Sequence, residues 1–261
     1  MQVSEAFTAG RGPGANLDRW VVTDDFAAVL DGTTPKGPDR EEATAATAAM
    51  VDDLVCTVRG LEPESTVAEV VDALTGTAAR HQEPFAPSAA GAVYAHRQGV
   101  VVVLSDVWVA VDGRAQFFPH RYEQLLAQVR VAVTELALAA GRPLAEVRRD
   151  DPGRAAIVDL LAGESALRNV DAPGGYFFAA LDGQPVPARL TRVVSVPDTA
   201  RRLVLASDGY PRLGRTLEES ESLLEAVVRE DPLMVRLAPG TKAVPDGSTG
   251  YDDRTYLSLD L

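Results

Sequence analysis

Apolar residues recur along this chain at two spacings, and the changes between them divide it into elements. Between Arg19 and Asp31 they fall in two short runs around Asp24-Asp25, which predicts two strands joined by a tight turn. Over 40–59 the spacing becomes helical, with Ala46, Met50, Val51, Leu54, Val55 and Val58 on one face. Pro38-Asp39 stands where that helix needs its cap. A second helix is expected over 66–79, where Val67, Val70, Val71, Leu74 and Ala78 are spaced likewise. Beyond Pro87 the alternation of strands returns over 89–96, 100–104, 107–111 and 115–118, with Gly99 and Asp112-Gly113 as the turns of an antiparallel meander. Helices follow over 122–140 and 154–168, joined by a polar, basic stretch around Arg148 and Arg149. Tyr122, Leu125, Leu126, Val129, Val133 and Leu136 mark the expected inner face of the first. Strands resume over 176–181, 190–196 and 203–206. Thr216-Leu217-Glu218-Glu219 reads as a capping box for a helix that ends at Asp231-Pro232, and a loop over 240–250 precedes a last strand over 255–259. Strand groups alternating with helix groups predict an α+β fold, two antiparallel sheets with helices outside, as a single domain over 1–261.

Composition narrows the function classes. An apolar content of 46% suffices for a large core, and 25 basic against 38 acidic residues, a net charge of −13, disfavour nonspecific nucleic-acid binding. The first residues lack the basic start and apolar run of a signal peptide, and no uninterrupted apolar stretch is long enough to cross a bilayer, so a cytoplasmic protein with no membrane partner is expected. High Ala, Val and Arg with little Lys suggests a bacterial source. The lone Cys56 reads as a buried thiol on the apolar side of the first helix. His81, His96 and His120 lack zinc-ligand spacing and read as surface or capping residues. Gly163-Glu164-Ser165-Ala166-Leu167 misses the nucleophile-elbow pattern by its last residue, and Gly10-Arg11-Gly12-Pro13-Gly14 reads as a loop rather than a phosphate cradle.

The candidate chemistry lies in carboxylates beside apolar runs. The 26–30 run leads into Asp31-Gly32, the 203–206 run leads to Asp208-Gly209, and Asp252-Asp253 precedes the 256–259 run. Asp-Gly is ordinarily a turn, and Asp112-Gly113, Asp182-Gly183 and Asp246-Gly247 supply such turns in the same chain. If the runs are buried strands, however, the other carboxylates gather at strand ends around one point. Acids so placed repel one another unless protons or hard cations neutralise them.

In order along the chain, these phrases resemble the metal-dependent protein phosphatases of the PP2C (PPM) family. That family's pattern runs Asn-Glu-Asp, then Asp-Gly closing a strand, Gly-Asp-Ser-Arg, Ser-Asp-Gly and Asp-Asn-x-Thr. The counterparts are Asn16-Leu17-Asp18, Asp31-Gly32, Ser105-Asp106-Val107-Trp108, Ser207-Asp208-Gly209 and Asp252-Asp253-Arg254-Thr255. The resemblance implies an αββα sandwich and two divalent cations, Mn²⁺ or Mg²⁺. It implies that Asp31 bridges the cations with Gly32 offering its carbonyl, that Asp208 and Asp252 complete the oxygen shell, and that Asp18 acts through bound water. Asp253 and Asp106 would stand behind those ligands or at a third metal. The implied reaction is hydrolysis of a phosphomonoester, with Asp18, Asp31, Asp208 and Asp252 as its catalytic residues. Its substrate would be a phosphoserine or phosphothreonine protein or a small phosphorylated metabolite.

The chain departs from the pattern where substrate is handled. Thr33-Thr34-Pro35 replaces the family's glycines, Ser105 and Trp108 replace Gly and Arg, and Pro13 occupies the position of the phosphate-binding Arg, leaving Arg11 or Arg19 as substitutes. Those changes keep a rival expectation open, a catalytically inactive member serving as a binding or regulatory module.

Overall fold

A computed structural model describes residues 1–12, 16–35 and 39–261, so Pro13, Gly14 and Pro38 lie outside the described residues. In chain order the elements are β1 (Gln2–Ala9), β2 (Arg19–Val22), β3 (Phe26–Gly32), α1 (Arg40–Arg59), α2 (Val67–Ala79), β4 (Ala89–Ala95), β5 (Val100–Leu104), β6 (Trp108–Val111) and β7 (Arg114–Phe117). The second part holds α3 (Arg121–Ala139), α4 (Leu144–Asp150), α5 (Pro152–Ala162), β8 (Arg192–Ser195), β9 (Arg202–Ala206), α6 (Leu217–Glu230) and β10 (Arg254–Asp260). The strands form two five-stranded antiparallel sheets, ordered β1-β10-β9-β6-β7 and β2-β3-β4-β5-β8.

Burial on both faces explains why the central strands read as apolar runs rather than alternating ones. Ala27 and Val29 of β3, Ala92 of β4 and Val103 of β5 pack against Val109, Leu203, Leu205, Leu257 and Leu259 of the other sheet. Their neighbours Ala28, Leu30, Val93 and Val102 point the opposite way, onto Met50 and Leu54 of α1 and Val70 and Leu74 of α2. Thr66 and Glu69 close a reciprocal capping box that starts α2.

Several expectations are corrected. The 89–118 strands are not one meander: β4 and β5 pair in one sheet, β6 and β7 in the other, and the chain changes sheets at 105–107. The 176–181 run is no strand; it makes isolated bridges, Arg168 with Phe178 and Ala89 with Leu181. β1 was unforeseen, because an edge strand exposed along much of one side carries too little apolar alternation to announce itself. The stretch around Arg148 and Arg149 is helix α4. Cys56 is exposed, since the buried stripe of α1 runs through Thr47, Met50, Val51, Leu54, Val55 and Val58 and turns position 56 outward. Asp39 sits at the N-cap of α1 without a capping hydrogen bond, and Glu219 at the start of α6 accepts from Arg215 N rather than closing the box on Thr216.

The inner face of α3 is only partly the expected one: Leu126 is buried against Ile157 and Leu161 with Tyr122 beside it. Leu125, Val129 and Leu136 are exposed, whereas Arg130 and Thr134 are buried. The fully enclosed Arg130 guanidinium donates to Asp151 at 2.9 Å and to the carbonyls of Leu233 and Gly240 at 2.9 and 3.0 Å. Gly153 brings α5 so close that a Cβ there would lie 2.4 Å from the Arg130 carbonyl. A charge with its partners in place, together with Leu126, rather than the whole apolar stripe, decides which side of α3 faces inward.

Candidate metal centre

Strand pairing assembles the carboxylates. Asp31 and Gly32 close β3, in register with Ala90 and Ala89 of β4. Because β9 and β10 run antiparallel, Asp208 at the exit of one and Asp252-Asp253 at the entry of the other meet at the same end. Ser207 locks that end: its N–H donates to the Thr255 carbonyl at 3.0 Å, and its hydroxyl accepts from Thr255 N at 2.8 Å. Glycine makes both approaches possible. A Cβ on Gly209 would lie 2.1 Å from the Asp253 carbonyl, and one on Gly32 would lie 2.9 Å from the Leu17 carbonyl.

The segment before β2 crosses this end and inserts Asp18, which is 1% exposed. Its Oδ2 accepts from the Ser207 hydroxyl at 2.6 Å; its Oδ1, among the described residues, has no partner. Asp253 turns away from the opening and accepts the backbone N–H groups of Leu17 at 2.9 Å and Arg11 at 3.1 Å, which ties the N-terminal loop to β10. Asp252 faces the opening, ion-paired to Lys242 and, at 3.4 Å, to Arg11.

Asp31, Gly32, Asp106, Asp208 and Asp252 line one cleft of about 540 Å³, with Asp18 and Asp253 behind its wall. Arg11 lines the cleft. Arg19 does not: it pairs with Asp52 at 2.7 Å and braces the carbonyls of Asn16 and Asp18. Crowding shows in the protonation equilibria. Burial, then the charges of Asp253 and Asp252, push Asp18 up to about 7 despite its bond from Ser207. Burial with Asp18, Asp208, Asp252 and Asp106 nearby holds Asp31 well above the carboxylate range. Burial with Asp252, Asp106 and Glu123 does the same to Asp208.

Sequence reasoning missed the opposite wall. His120 is buried, stacked on Phe178 at 3.8 Å between ring centres; its Nε2 meets the Ser105 hydroxyl and lies 3.3 Å from Asp106, and its Nδ1 lies 3.6 Å from Glu164. It occupies the N-cap of α3 but makes no capping bond. Burial works against its charged form, yet Asp106, Glu164 and Glu123 prevail and raise its pKa. Donor atoms of Asp106, His120 and Glu123 all lie within 4.8 Å of one another. His120 and Glu123 are neighbours at the start of α3, whereas Asp106 comes to them from the change of sheet at 105–107. Trp108, where the resemblance expects Arg, donates to the Tyr210 carbonyl at 2.9 Å and walls a second hollow that shares Asp106, His120, Asp208 and Asp252 with the cleft.

The donors aimed into the cleft from Asp31, Asp208 and Asp252 are carboxylate oxygens. The raised proton affinities of Asp31 and Asp208 and the unpartnered buried oxygen of Asp18 fit hard divalent cations.

No model of a known protein family matches this sequence, and no curated protein does. Solved structures do match. The catalytic domain of the serine/threonine protein phosphatase PstP, in complex with two manganese ions, superposes with a TM-score of 0.51 at 14% identity, over 98% of this chain and 96% of that one. A bacterial serine phosphatase matches with a TM-score of 0.51 at 11% identity, over 99% and 98%. Serine/threonine phosphatase Stp1 from Staphylococcus aureus matches with 0.51 at 11%, over 100% and 96%. At such identities the likeness is one of fold. The chain has the fold of the PPM, or PP2C, serine/threonine phosphatases, two antiparallel sheets flanked by helices, as the motif resemblance implies. No helix among the described residues is long and apolar enough to cross a membrane.

Proposed function

We propose that the chain is a divergent PPM-type phosphatase that hydrolyses a phosphomonoester with two divalent cations, Mn²⁺ or Mg²⁺. The observation that carries this reading is the convergence of Asp31, Asp208 and Asp252, from separate segments, on one cleft. Asp31, Gly32, Asp208 and Asp252 would hold the cations, Asp18 would act through water, and Asp253 and Asp106 would support them. Bound there, the cations would supply a nucleophile at neutral pH and charge to stabilise the transferring phosphoryl group, so no protein nucleophile is needed. The chain's own residues do the positioning. Ser207 orients Asp18, and Asp253 holds the loop that carries Arg11 over the opening. Arg11 and Lys242 bring positive charge to the place where a phosphate would enter. Turnover of 4-nitrophenyl phosphate with Mn²⁺, compared with EDTA, tests the reading. Metal-dependent hydrolysis lost in Asp31→Asn and Asp208→Asn is expected; none at high enzyme concentration would refute it.

One observation favours the rival, a binding or regulatory module without chemistry: Asp252 is already paired with Lys242 and Arg11. Internal cations there could replace metal. Thermal unfolding separates the two, because a cation that binds only the folded state raises its stability. A clear upward shift with Mn²⁺, abolished in Asp208→Asn, supports the enzyme; no shift supports the module.

A further inference from the structure

Past the carboxylates the cleft changes character. A recess of about 380 Å³ opens there, with Phe85, Leu161 and several Pro and Ala residues as its apolar wall. Its polar groups come from Thr33, Thr34, Arg40, Ser88, Ser165 and Arg168, and Asp39 is the only carboxylate among its described lining residues. Thr33, Thr34, Arg40, Ser88 and Arg168 line both the recess and the metal cleft, so the two spaces are continuous. The threonines follow directly on Asp31-Gly32, in the stretch where this chain departs from the glycines of the PP2C pattern.

The groups here are set as donors. Thr33 N donates to the Ser88 carbonyl at 2.9 Å, and the Ser88 hydroxyl donates to Thr33 Oγ1 at 3.0 Å, which leaves the Thr33 proton available to a further acceptor. Among the described residues, neither guanidinium, of Arg40 or of Arg168, makes an ion pair or side-chain hydrogen bond. Arg168 is half-buried, and burial pushes its pKa down against the distant pull of Asp182, Glu164 and Asp106. Its backbone is held at the end of the 163–167 turn by a bond to the Ser165 carbonyl. The next residue, Asn169, ties to Ala180 and Asp182. A partly desolvated guanidinium with no carboxylate in hydrogen-bond contact is unfavourable until an oxyanion meets it, and Arg offers the fork that such an anion fits.

We infer that this recess is an oxyanion subsite, which receives a second anionic group of a substrate whose scissile phosphate lies at the carboxylate end. The substrate class is thus a phosphomonoester with a second oxyanion, a carboxylate or another phosphate. The substrate half of this inference rests on the phosphatase reading; the anion half does not.

Two experiments therefore separate the failures. In EDTA, calorimetric titration with inorganic phosphate should show binding to the wild type and at least tenfold weaker binding to Arg168→Ala and to Arg168→Gln, the latter keeping most of the stem. Equal phosphate binding by wild type and both folded variants, or none by the wild type, would overturn the subsite. With Mn²⁺, kcat/KM is compared between the peptides Ala-Ala-pThr-Ala-Ala and Ala-Ala-pThr-Glu-Glu, and between glucose 6-phosphate and glucose 1,6-bisphosphate. The peptide pair reads a carboxylate as the second anion, the sugar pair a phosphate. A preference of about tenfold for the two-anion member of either pair, collapsing towards one in Arg168→Gln, is expected. An unchanged preference in the variant, or none in the wild type of either pair, would overturn the substrate class. No turnover of any substrate alongside Arg168-dependent phosphate binding would sink the phosphatase reading while leaving the subsite standing.

Discussion

Asp112-Gly113 and Asp208-Gly209 are the same dipeptide at the ends of apolar runs, and they do opposite things. Asp112 and Gly113 take φ values of 48° and 77° and turn β6 into β7; a Cβ on Gly113 would meet nothing within 4 Å. The Asp112 carboxylate accepts the N–H groups of Arg201 and Arg202, which lower its pKa. Gly209 instead lies under the backbone of Asp253, and burial, with other carboxylates facing it, raises the pKa of Asp208. Asp31-Gly32 belongs with the second kind. The turn Asp112 meets two N–H donors and the site Asp208 meets other carboxylates, so what approaches the dipeptide, not the dipeptide itself, separates a turn from a ligand.

The largest expected break comes from the glycines. Gly209→Ala drives a Cβ into the Asp253 carbonyl and should lower stability by about 3 kcal/mol or more. Gly32→Ala, with its nearest contacts at 2.9 Å, should lose about 1–3 kcal/mol. Gly113→Ala, strained only by its φ of 77°, should lose about 1 kcal/mol and leave Mn²⁺ binding unchanged. Urea denaturation with parallel Mn²⁺ calorimetry measures all three; a Gly113 variant as damaged as the Gly209 one would end the distinction.

Next in size are the acids. In EDTA, Asp31→Asn and Asp208→Asn should raise the melting temperature, because each removes a like charge from a buried cluster, whereas Asp112→Ala should lower it by removing the acceptor of two N–H groups. Saturating Mn²⁺ should reverse the first effect, with the wild type melting above both variants. If Asp31→Asn and Asp208→Asn destabilise the metal-free protein, the picture of mutual repulsion is wrong.

The same acids set a pH slope. Asp18 titrates at about 7 in the folded state, against about 3.9 unfolded. The folded chain therefore binds the extra proton between those values, and the metal-free protein should lose stability as pH rises from about 4 to 7. Asp112 works the other way: its lowered pKa contributes stability above its unfolded value that is lost as pH falls through the folded one. Urea midpoints in EDTA at pH 5 and 7.5 should differ for the wild type, and the difference should shrink in Asp18→Asn, with Asp31 and Asp208 supplying the remainder. A flat wild-type profile would break the argument.

Much of this was legible in the sequence. The apolar runs marked β2, β3, β5 and β9, and helical spacing marked α1 between Arg40 and Arg59 to the residue. The ordered carboxylate motifs pointed to the fold that the solved structures share. Less visible were features that depend on contacts far along the chain. The stripe of Leu125, Val129 and Leu136 looked like a core face because periodicity records polarity alone, while the inner side of α3 was claimed by Arg130 once Asp151 and three carbonyls could reach it.

The sequence by itself determined many of the strands and helices, though not β1, α4 or the fate of the 176–181 run, and that acids stand at strand ends, because side-chain periodicity and turn chemistry are local. Only the tertiary structure decided which acids share a cleft, since that depends on β9 and β10 running antiparallel and on bare glycine surfaces that let Asp208 and Asp252 close together. It also decided that His120 and Glu123 would face Asp106, through a change of sheet that local periodicity does not record. Local preference acts over a few residues, whereas electrostatic and packing energies depend on distance in space, and folding alone sets that distance.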